Sequence, residues 1–275
     1  MLDADGRLVY VGKASNIRRR LEGHARGPKR REDVRARRIV TTVADVRWIV
    51  CASDREAHCL EADLIIAFVP PYNASMSREG YTYVHVSRDH VFTLTEESSS
   101  RSGRVYGGFP HLGKGRASWR GVRTNAGYSA LMRLLWVAFA DDRVRARIPS
   151  HLRGQSPPIE HRSPFDSAHG RALHDFFSGR SARLLPTLRE RVTARAPTYM
   201  HGALADDLIE AEEFSVIGPR RLHALRTRHR LAPGPIDEAT FSRLVSDETV
   251  AAVGAFERPP RRPRPSLGSG MRRRA

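Results

Sequence analysis

Residues 9–21 read VYVGKASNIRRRL, and this stretch decides the fold of the first part of the chain. Leu8–Gly12 is a short run of β-branched and aromatic residues after a DADG turn, a pattern that predicts a hairpin. Ser15 or Asn16 can cap a helix that continues until Gly27-Pro28 stops it. The stretch therefore predicts a strand, a glycine turn and a basic helix in immediate succession.

The residues that follow continue this alternation of strands and helices. Val43–Ala52 is an apolar run that predicts a second strand. Ser53-Asp54-Arg55-Glu56 matches a capping box, so we expect a helix over residues 54–68 that ends before Pro70-Pro71. Residues 81–86 and 91–95 read as two more strands. We therefore expect a small unit of strands and helices over residues 1–96.

The rest of the chain has a different pattern. Residues 97–127 read as a polar, glycine-rich linker, residues 128–256 as an irregular, mainly helical domain, and residues 257–275 as a disordered tail rich in arginine and proline. The helices expected in the helical domain are Tyr128–Ala140, Ser167–Phe177, Ala182–Arg195, Ala203–Phe214 and Pro219–Arg230.

The positive charge is concentrated in two blocks. The chain of 275 residues has a formal net charge of +17. Residues 7–38 carry twelve basic side chains against three acidic ones, and the tail from Arg258 adds seven arginines and no acid. Such blocks predict a nucleic-acid partner, with a solvated, arginine-biased surface as the alternative. The candidate DNA contacts are Arg18, Arg19, Lys29, Arg30 and Arg31.

Cysteine content and hydropathy exclude other classes of protein. The chain has two cysteines, Cys51 and Cys59, too few for a disulfide framework, a four-thiolate zinc site or a cysteine-ligated iron–sulfur cluster. A reducing cytoplasm fits this usage. There is no run of about 18 apolar residues and no basic, then apolar, leader. We therefore expect a cytoplasmic protein without a membrane span.

Polar side chains interrupt the apolar faces of the first two predicted helices. Glu61 falls in the apolar stripe of the helix over residues 54–68, where a carboxylate is costly unless it is paired or binds a metal. An ion pair with an arginine at the edge of the stripe is the structural alternative. Arg20 and His24 repeat the pattern on the first helix as i, i+4 neighbours.

These residue types together suit phosphodiester chemistry. Magnesium often takes one or two carboxylates and fills its shell with water and substrate phosphate. Hydrolysis also needs a proton acceptor and a cation near the phosphate. Tyr10 at the strand end, Lys13 just beyond it, Arg20 and Glu61 supply these groups.

The sequence resembles the GIY-YIG nucleases, and in particular the N-terminal nuclease domain of the bacterial excinuclease subunit UvrC. The resemblance covers about 90 residues. It is carried by VYVGKASNIRRRL over residues 9–21, by EA at 56–57 with LEADLI at 60–65, by PYN at 71–73 and by GYTYV at 80–84.

The resemblance implies roles for individual residues. Tyr10 corresponds to a tyrosine that acts as general base or orients water, and Lys13 to a lysine that assists it or contacts phosphate. Arg20 corresponds to the phosphate-binding arginine, and His24 to a tyrosine or histidine near the site. Glu61 corresponds to the sole protein ligand of a single divalent ion, Mg²⁺ or Mn²⁺. Gly12 and Asn73 correspond to supporting positions.

The chain also departs from the pattern of that family. The first motif, Gly-x-Tyr, would lie before Met1, so the start is assigned too late, the chain is a fragment, or the first tyrosine is missing. The four-cysteine cluster and the C-terminal domains of UvrC are absent, as in shorter UvrC-like proteins. Residues 176–180 and the helices after them loosely resemble the segment that leads to the UvrB-binding hairpin, so a UvrB-like repair protein is a further expected partner.

The sequence thus predicts an α+β chain: a small GIY-YIG-type nuclease domain with an antiparallel sheet flanked by helices, then a mainly helical domain and a basic tail. The predicted function is metal-dependent DNA cleavage of UvrC-like type in nucleotide excision repair. The alternative is a catalytically inactive GIY-YIG-fold module that only binds DNA.

Overall fold

A computed structural model describes most of the chain. The described residues are 1–26, 34–73, 79–87, 91–99, 103–112, 124–143, 145–153, 159–162 and 167–253. Three of the candidate DNA contacts, Lys29, Arg30 and Arg31, and the tail over residues 257–275 lie outside them.

In its described residues the first part of the chain forms three α-helices, α1 (Ile17–Ala25), α2 (Val34–Thr42) and α3 (Asp54–Phe68). Both helices that the sequence predicted here have the expected caps: the Asn16 side chain accepts the Arg19 N–H before α1, and Ser53 accepts the Glu56 N–H before α3. Helix α2 was not predicted. Its residues, VRARRIVTT, include β-branched side chains, which do not favour a helix, and several arginines, which interrupt the apolar stripe in the sequence.

The predicted strand over residues 43–52 is wrong. Within that range the structure has one isolated bridge, between Asp45 and Leu2, and Leu2 forms a second antiparallel bridge with Leu8. Leu2 therefore lies between two segments of chain, at the centre of a minimal three-stranded arrangement. A ladder needs a neighbouring backbone along its length, and no strand lies beside residues 46–51 in the part of the chain that the structure describes.

A four-stranded antiparallel sheet follows, with the order β3-β1-β2-β4. Its strands are β1 (Glu79–Val86), β2 (Val91–Thr95), β3 (Arg104–Leu112) and β4 (Ile159–Arg162). Strands β1 and β2 agree with the sequence prediction. Residues 104–112 were predicted as linker, and this prediction is wrong. Residues 159–162, which lie between two predicted helices of the helical domain, form a strand that was not predicted. The glycines and Pro110 of β3 read as a linker, but β3 is an edge strand, where proline is tolerated.

Six α-helices make up most of the second part as far as the structure describes it. They are α4 (Thr124–Phe139), α5 (Ser167–Phe177), α6 (Leu184–Arg195), α7 (His201–Ser215), α8 (Arg221–His229) and α9 (Glu238–Val253). A π-turn over Val216–Arg220 joins α7 to α8, and α9 was not predicted. The expected α+β class is confirmed. None of the described helices has the length and apolar character that a membrane crossing requires.

Two hydrophobic cores meet at α3. The larger core joins inward side chains of the sheet, such as Val84, Leu94 and Phe109, to those of the helices from α4 onward. The sheet thus contains strands from both sides of the boundary predicted at residue 96. The smaller core joins Leu2, Leu8 and Val11 to the face of α3, and the end of α9 packs against it. Helix α3, which carries Glu61, is therefore held from two sides.

Candidate active site

Tyr10, Arg20 and His24 form one contact group. The Arg20 Nη2 donates a 2.8 Å hydrogen bond to the Tyr10 hydroxyl. The His24 ring lies edge-on to the Tyr10 ring, with 5.6 Å between the ring centroids. Tyr10 is 7% exposed, whereas Arg20 is exposed on α1. The i, i+4 spacing on α1 thus brings both side chains onto the buried tyrosine.

Asn73 holds the chain beside Tyr10. Its Oδ1 accepts the Val11 N–H at 2.8 Å, and its Nδ2 donates to the Val11 carbonyl at 2.9 Å. Asn73 is fully buried, and the Tyr72 N–H donates to the Val9 carbonyl alongside it. The PYN turn after α3 therefore replaces a neighbouring strand for residues 9–11 by supplying backbone-like hydrogen bonds.

Gly12 leaves the space that the Tyr10 ring occupies. A Cβ atom at this position would lie 2.7 Å from the Tyr10 hydroxyl oxygen and 3.0 Å from Cε1 of the ring. These distances are shorter than normal van der Waals contact. The absence of a side chain at Gly12 therefore allows Tyr10 to point at Arg20.

Glu61 and Lys13 meet through the backbone. The Lys13 N–H donates to the Glu61 Oε1 at 3.2 Å. The Lys13 ammonium points elsewhere and pairs with the Asp54 Oδ2 at 2.7 Å. This hydrogen bond, together with the charge of Lys13, lowers the pKa of the exposed Asp54 carboxyl. The structure thus brings the backbone of Lys13 to Glu61 and its charge to Asp54.

A single cavity of about 970 Å³ connects these groups. Tyr10, Gly12, Lys13, Arg20 and Glu61 all line it. His24 and Asn73 do not line it and act on it through Tyr10 and Val11. The exposed side chains of Arg18 and Arg19 lie on the same helix as Arg20. The residues predicted from the sequence are therefore brought together, apart from the three that the structure does not describe.

The donor set decides which metal this cavity suits. Among the residues that the structure describes, no group of three or more His, Cys, Asp or Glu side chains is arranged to hold a metal ion. Two carboxylates, Glu61 and Asp54, line the cavity beside a tyrosine, a lysine and two arginines, and Asp54 is paired with the Lys13 ammonium. That set fits Mg²⁺ or Mn²⁺, which keep water and phosphate oxygens as ligands, and does not fit a structural zinc site.

Sequence reasoning missed three parts of the site. Asp54, the partner of Lys13, is visible in the sequence only as an acid in the first turn of α3. Residues 46–51 form one wall of the cavity, with Trp48 66% exposed and Val50 86% exposed. Ala252 and Val253, at the end of α9, form part of another wall. Only the tertiary fold brings these residues to the cavity.

Two aromatic residues at the start of segment 176–180 lie in the core. Phe176 and Phe177, in the segment likened to the approach to a UvrB-binding hairpin, are each 1% exposed. Their rings pack against each other and against Phe214. These two rings are therefore core residues and do not form a surface for a partner.

Comparison with known proteins relates the chain to one family. Residues 1–74 match the UvrC-like GIY-YIG domain. A "UvrABC system protein C" of Lacticaseibacillus casei is 32% identical over 115 residues, which are 41% of this chain and 19% of that protein. The protein of the same name from Sphingopyxis alaskensis is 29% identical over 235 residues, 82% of this chain and 35% of that protein.

A third relative is aligned over nearly the whole chain. The "UvrABC system protein C" of Rhodopseudomonas palustris is 26% identical over 270 residues, 93% of this chain and 35% of that protein. The chain therefore spans between 19% and 35% of the length of these three relatives. No solved structure matches the chain.

Proposed function

Residues 1–74 match the UvrC-like GIY-YIG domain, and from this premise we propose that the chain is a DNA endonuclease that acts in nucleotide excision repair. The observation that carries the proposal is the cavity, on whose wall a carboxylate, a buried tyrosine, a lysine and an arginine converge. The basic surface of α1 next to it suits a DNA backbone.

In the proposed reaction, Tyr10 orients or deprotonates the attacking water. Arg20 donates to the Tyr10 hydroxyl through its Nη2, and its exposed guanidinium has further N–H groups that can approach a phosphate oxygen. A guanidinium beside the phosphate offsets charge that develops in the transition state. The ring of His24 supports the Tyr10 ring from the side.

Glu61 is the residue that would hold a divalent ion. When bound, Mg²⁺ or Mn²⁺ would supply charge neutralisation at the scissile phosphate and activation of a water molecule. The Lys13 N–H fixes the rotamer of the Glu61 carboxylate by binding Oε1. The Lys13 ammonium pairs with the Asp54 carboxylate in the structure. In the proposed reaction it leaves Asp54 and binds a phosphate of the DNA instead.

The decisive experiment measures nicking of supercoiled plasmid, and of a duplex with a bulky lesion, by the purified chain. We expect nicking that requires Mg²⁺ or Mn²⁺ and stops with a chelator. Glu61→Gln should reduce the rate by at least about a hundredfold while DNA binding is kept. The matched control is Glu22→Gln, which removes a charge from an exposed glutamate that pairs with Arg26.

Two outcomes would contradict the proposal. Equal nicking by the Glu61→Gln and Glu22→Gln proteins would remove Glu61 from the reaction. Salt-dependent DNA binding without nicking, under any divalent ion, would instead assign the chain to the alternative class, a non-catalytic DNA-binding module.

The proposal includes a UvrB-like partner, supported by relatives whose names place them in the UvrABC system. In the helical part, Tyr199 is 77% exposed and Ile209 is 57% exposed, and exposed apolar side chains of this size suit a protein contact. We expect a purified UvrB-like protein to co-elute with the chain, and the Tyr199→Ser, Ile209→Ser double variant to bind it at least about tenfold more weakly. Unchanged binding by this variant would place the contact elsewhere.

A further inference from the structure

Asp54 is a second carboxylate of the cavity and has no role of its own in the proposed reaction. Its side chain is 80% exposed, and it lines the same cavity as Glu61. Asp54 begins α3, and Glu61 follows seven residues later on the same helix. This spacing places the two residues on one face of α3, about 10 Å apart along the helix axis.

Lys13 connects these two carboxylates. Its backbone N–H donates to the Glu61 Oε1 at 3.2 Å, and its ammonium lies 2.7 Å from the Asp54 Oδ2. The four-carbon stem of a lysine is flexible, so rotation about its bonds can turn the ammonium from Asp54 towards Glu61. The two carboxylates therefore compete for the same ammonium.

The position of Asp54 favours it in this competition. Asp54 lies in the first turn of α3, where the helix dipole stabilises a negative charge. The hydrogen bond from Lys13, together with the charges of Lys13 and His58, lowers the pKa of the Asp54 carboxyl. Asp54 is therefore ionised at neutral pH and is able to keep the ammonium.

The place of this ammonium matters for a divalent ion. A cation that moved onto the Glu61 carboxylate would offset its negative charge and compete with a metal ion for its oxygen atoms. In the structure the ammonium is instead held at the other end of the same helix face, on Asp54.

We propose that Asp54 is a positioning residue that holds the Lys13 ammonium away from Glu61, so that the Glu61 carboxylate keeps its charge for a divalent ion. The inference rests on the proposed function for the role of Glu61. Asp54 acts through Lys13 and does not itself bind the ion.

The first test is a double-mutant cycle on Mn²⁺ binding by the full chain without DNA, followed by the electron paramagnetic resonance signal of unbound Mn²⁺. We expect Asp54→Asn to raise the Kd for Mn²⁺ about fivefold, the size of effect that an exposed ion pair can impose. In a chain that also carries Lys13→Gln, the same change should alter the Kd less than twofold, because no ammonium remains to be held.

Two further variants serve as controls. Asp54→Glu keeps the negative charge and should keep the Kd within about twofold of the unaltered chain. Asp5→Asn removes an exposed aspartate that pairs with Arg7 and does not line the cavity, and it should not change the Kd.

Several results would overturn the inference. Equal losses of Mn²⁺ affinity with and without Lys13→Gln would mean that Asp54 acts on the ion directly. Equal losses in the Asp54→Asn and Asp5→Asn proteins would mean that overall charge is responsible. An unchanged Kd in the Asp54→Asn protein, or no Mn²⁺ binding by the unaltered chain, would leave Asp54 without this role.

The second test is the rate of plasmid nicking as a function of Mg²⁺ concentration. Asp54→Asn should raise the half-saturating Mg²⁺ concentration about fivefold and leave the rate at saturating Mg²⁺ within about twofold. A lower saturating rate with an unchanged half-saturating concentration would place Asp54 in the chemical step and overturn the inference.

The two tests separate this inference from the proposed function. A chain that shows the coupling between Asp54 and Lys13 in Mn²⁺ binding but never nicks DNA would contradict only the proposed function. A chain that nicks DNA with Mg²⁺ but shows no such coupling would contradict only this inference.

Discussion

At the scale of single residues, the contact between Gly12 and Tyr10 decides how the hydroxyl is aimed. We expect Gly12→Ala to reduce the nicking rate by about 10- to 100-fold, because its Cβ would meet the hydroxyl oxygen at 2.7 Å and displace it from Arg20. Single-turnover nicking measures the effect. Gly23→Ala on α1 is the matched control, since a Cβ there meets nothing within 4 Å. An unchanged rate for Gly12→Ala would show that the position of the ring does not matter.

Asn73 carries the second residue-scale prediction, which concerns stability. Asn73→Asp keeps the shape but replaces the Nδ2 donor with an acceptor that faces the Val11 carbonyl in a fully buried place. We expect the free energy of unfolding in urea to fall by about 3 kcal/mol. The same change at Asn16, an exposed N-cap, should cost almost nothing because aspartate caps equally well. Equal effects at the two positions would contradict the role assigned to Asn73.

The sequence predicts a site residue well when the interactions that define it are local, and poorly when its partner lies far away along the chain. Arg20 and Glu61 were predictable because helical periodicity alone groups each with the apolar side chains on one face of its own helix. The pairing of the Lys13 ammonium with Asp54 was not, since those residues lie 41 positions apart and meet only when α3 packs behind the glycine turn. The backbone contact between Lys13 and Glu61 was hidden for the same reason.

At the scale of elements, local signals predicted helices better than strands. The capping box at Ser53 fixed the start of α3, and the observed bounds Asp54–Phe68 equal the predicted ones. The strand predicted over residues 43–52 depended on a partner that sequence periodicity does not report. The prediction for residues 104–112 was wrong in the opposite direction. Their glycines indicated a linker, whereas pairing with β1 makes them strand β3.

The wall of the cavity that residues 46–51 form carries the element-scale prediction. Leu2 bridges Leu8 and Asp45 in antiparallel fashion, so a strand continued backwards through Met1 would run between residues 9–12 and 46–51. We expect about six added residues of alternating valine and threonine before Met1 to pair there and slow amide exchange at Trp48–Cys51. A glycine-serine extension of equal length is the control. Equal exchange in the two proteins would mean that the wall does not accept a strand.

At the scale of the whole molecule, the second part of the chain completes the first. Helix α9 closes the small core, and Arg221 joins α8 to Asp63 on α3. Burial raises the pKa of Asp63, and the guanidinium of Arg221 opposes that shift. The sequence located the charge of the molecule in two blocks, but only the fold shows that Val253, five residues before the second block in sequence, lies at the wall of the cavity.

The pH dependence of the free energy of unfolding is set partly by His161 on β4. His161 is 2% exposed, and burial, together with the charge of His151, lowers its pKa from 6.5 to about 4. Between about pH 4 and pH 6.5, His161 therefore binds a proton in the unfolded chain but stays neutral in the folded chain. The stability contributed by neutral His161 is complete above about pH 6.5 and falls by about 3 kcal/mol as the pH drops to 4.

Urea unfolding between pH 4 and pH 6.5 measures how steeply the free energy of unfolding depends on pH. His161→Leu should make it shallower by about one proton, whereas His201→Leu, at an exposed position, should not change it. Parallel pH profiles for the unaltered and His161→Leu chains would show that His161 is protonated within the fold.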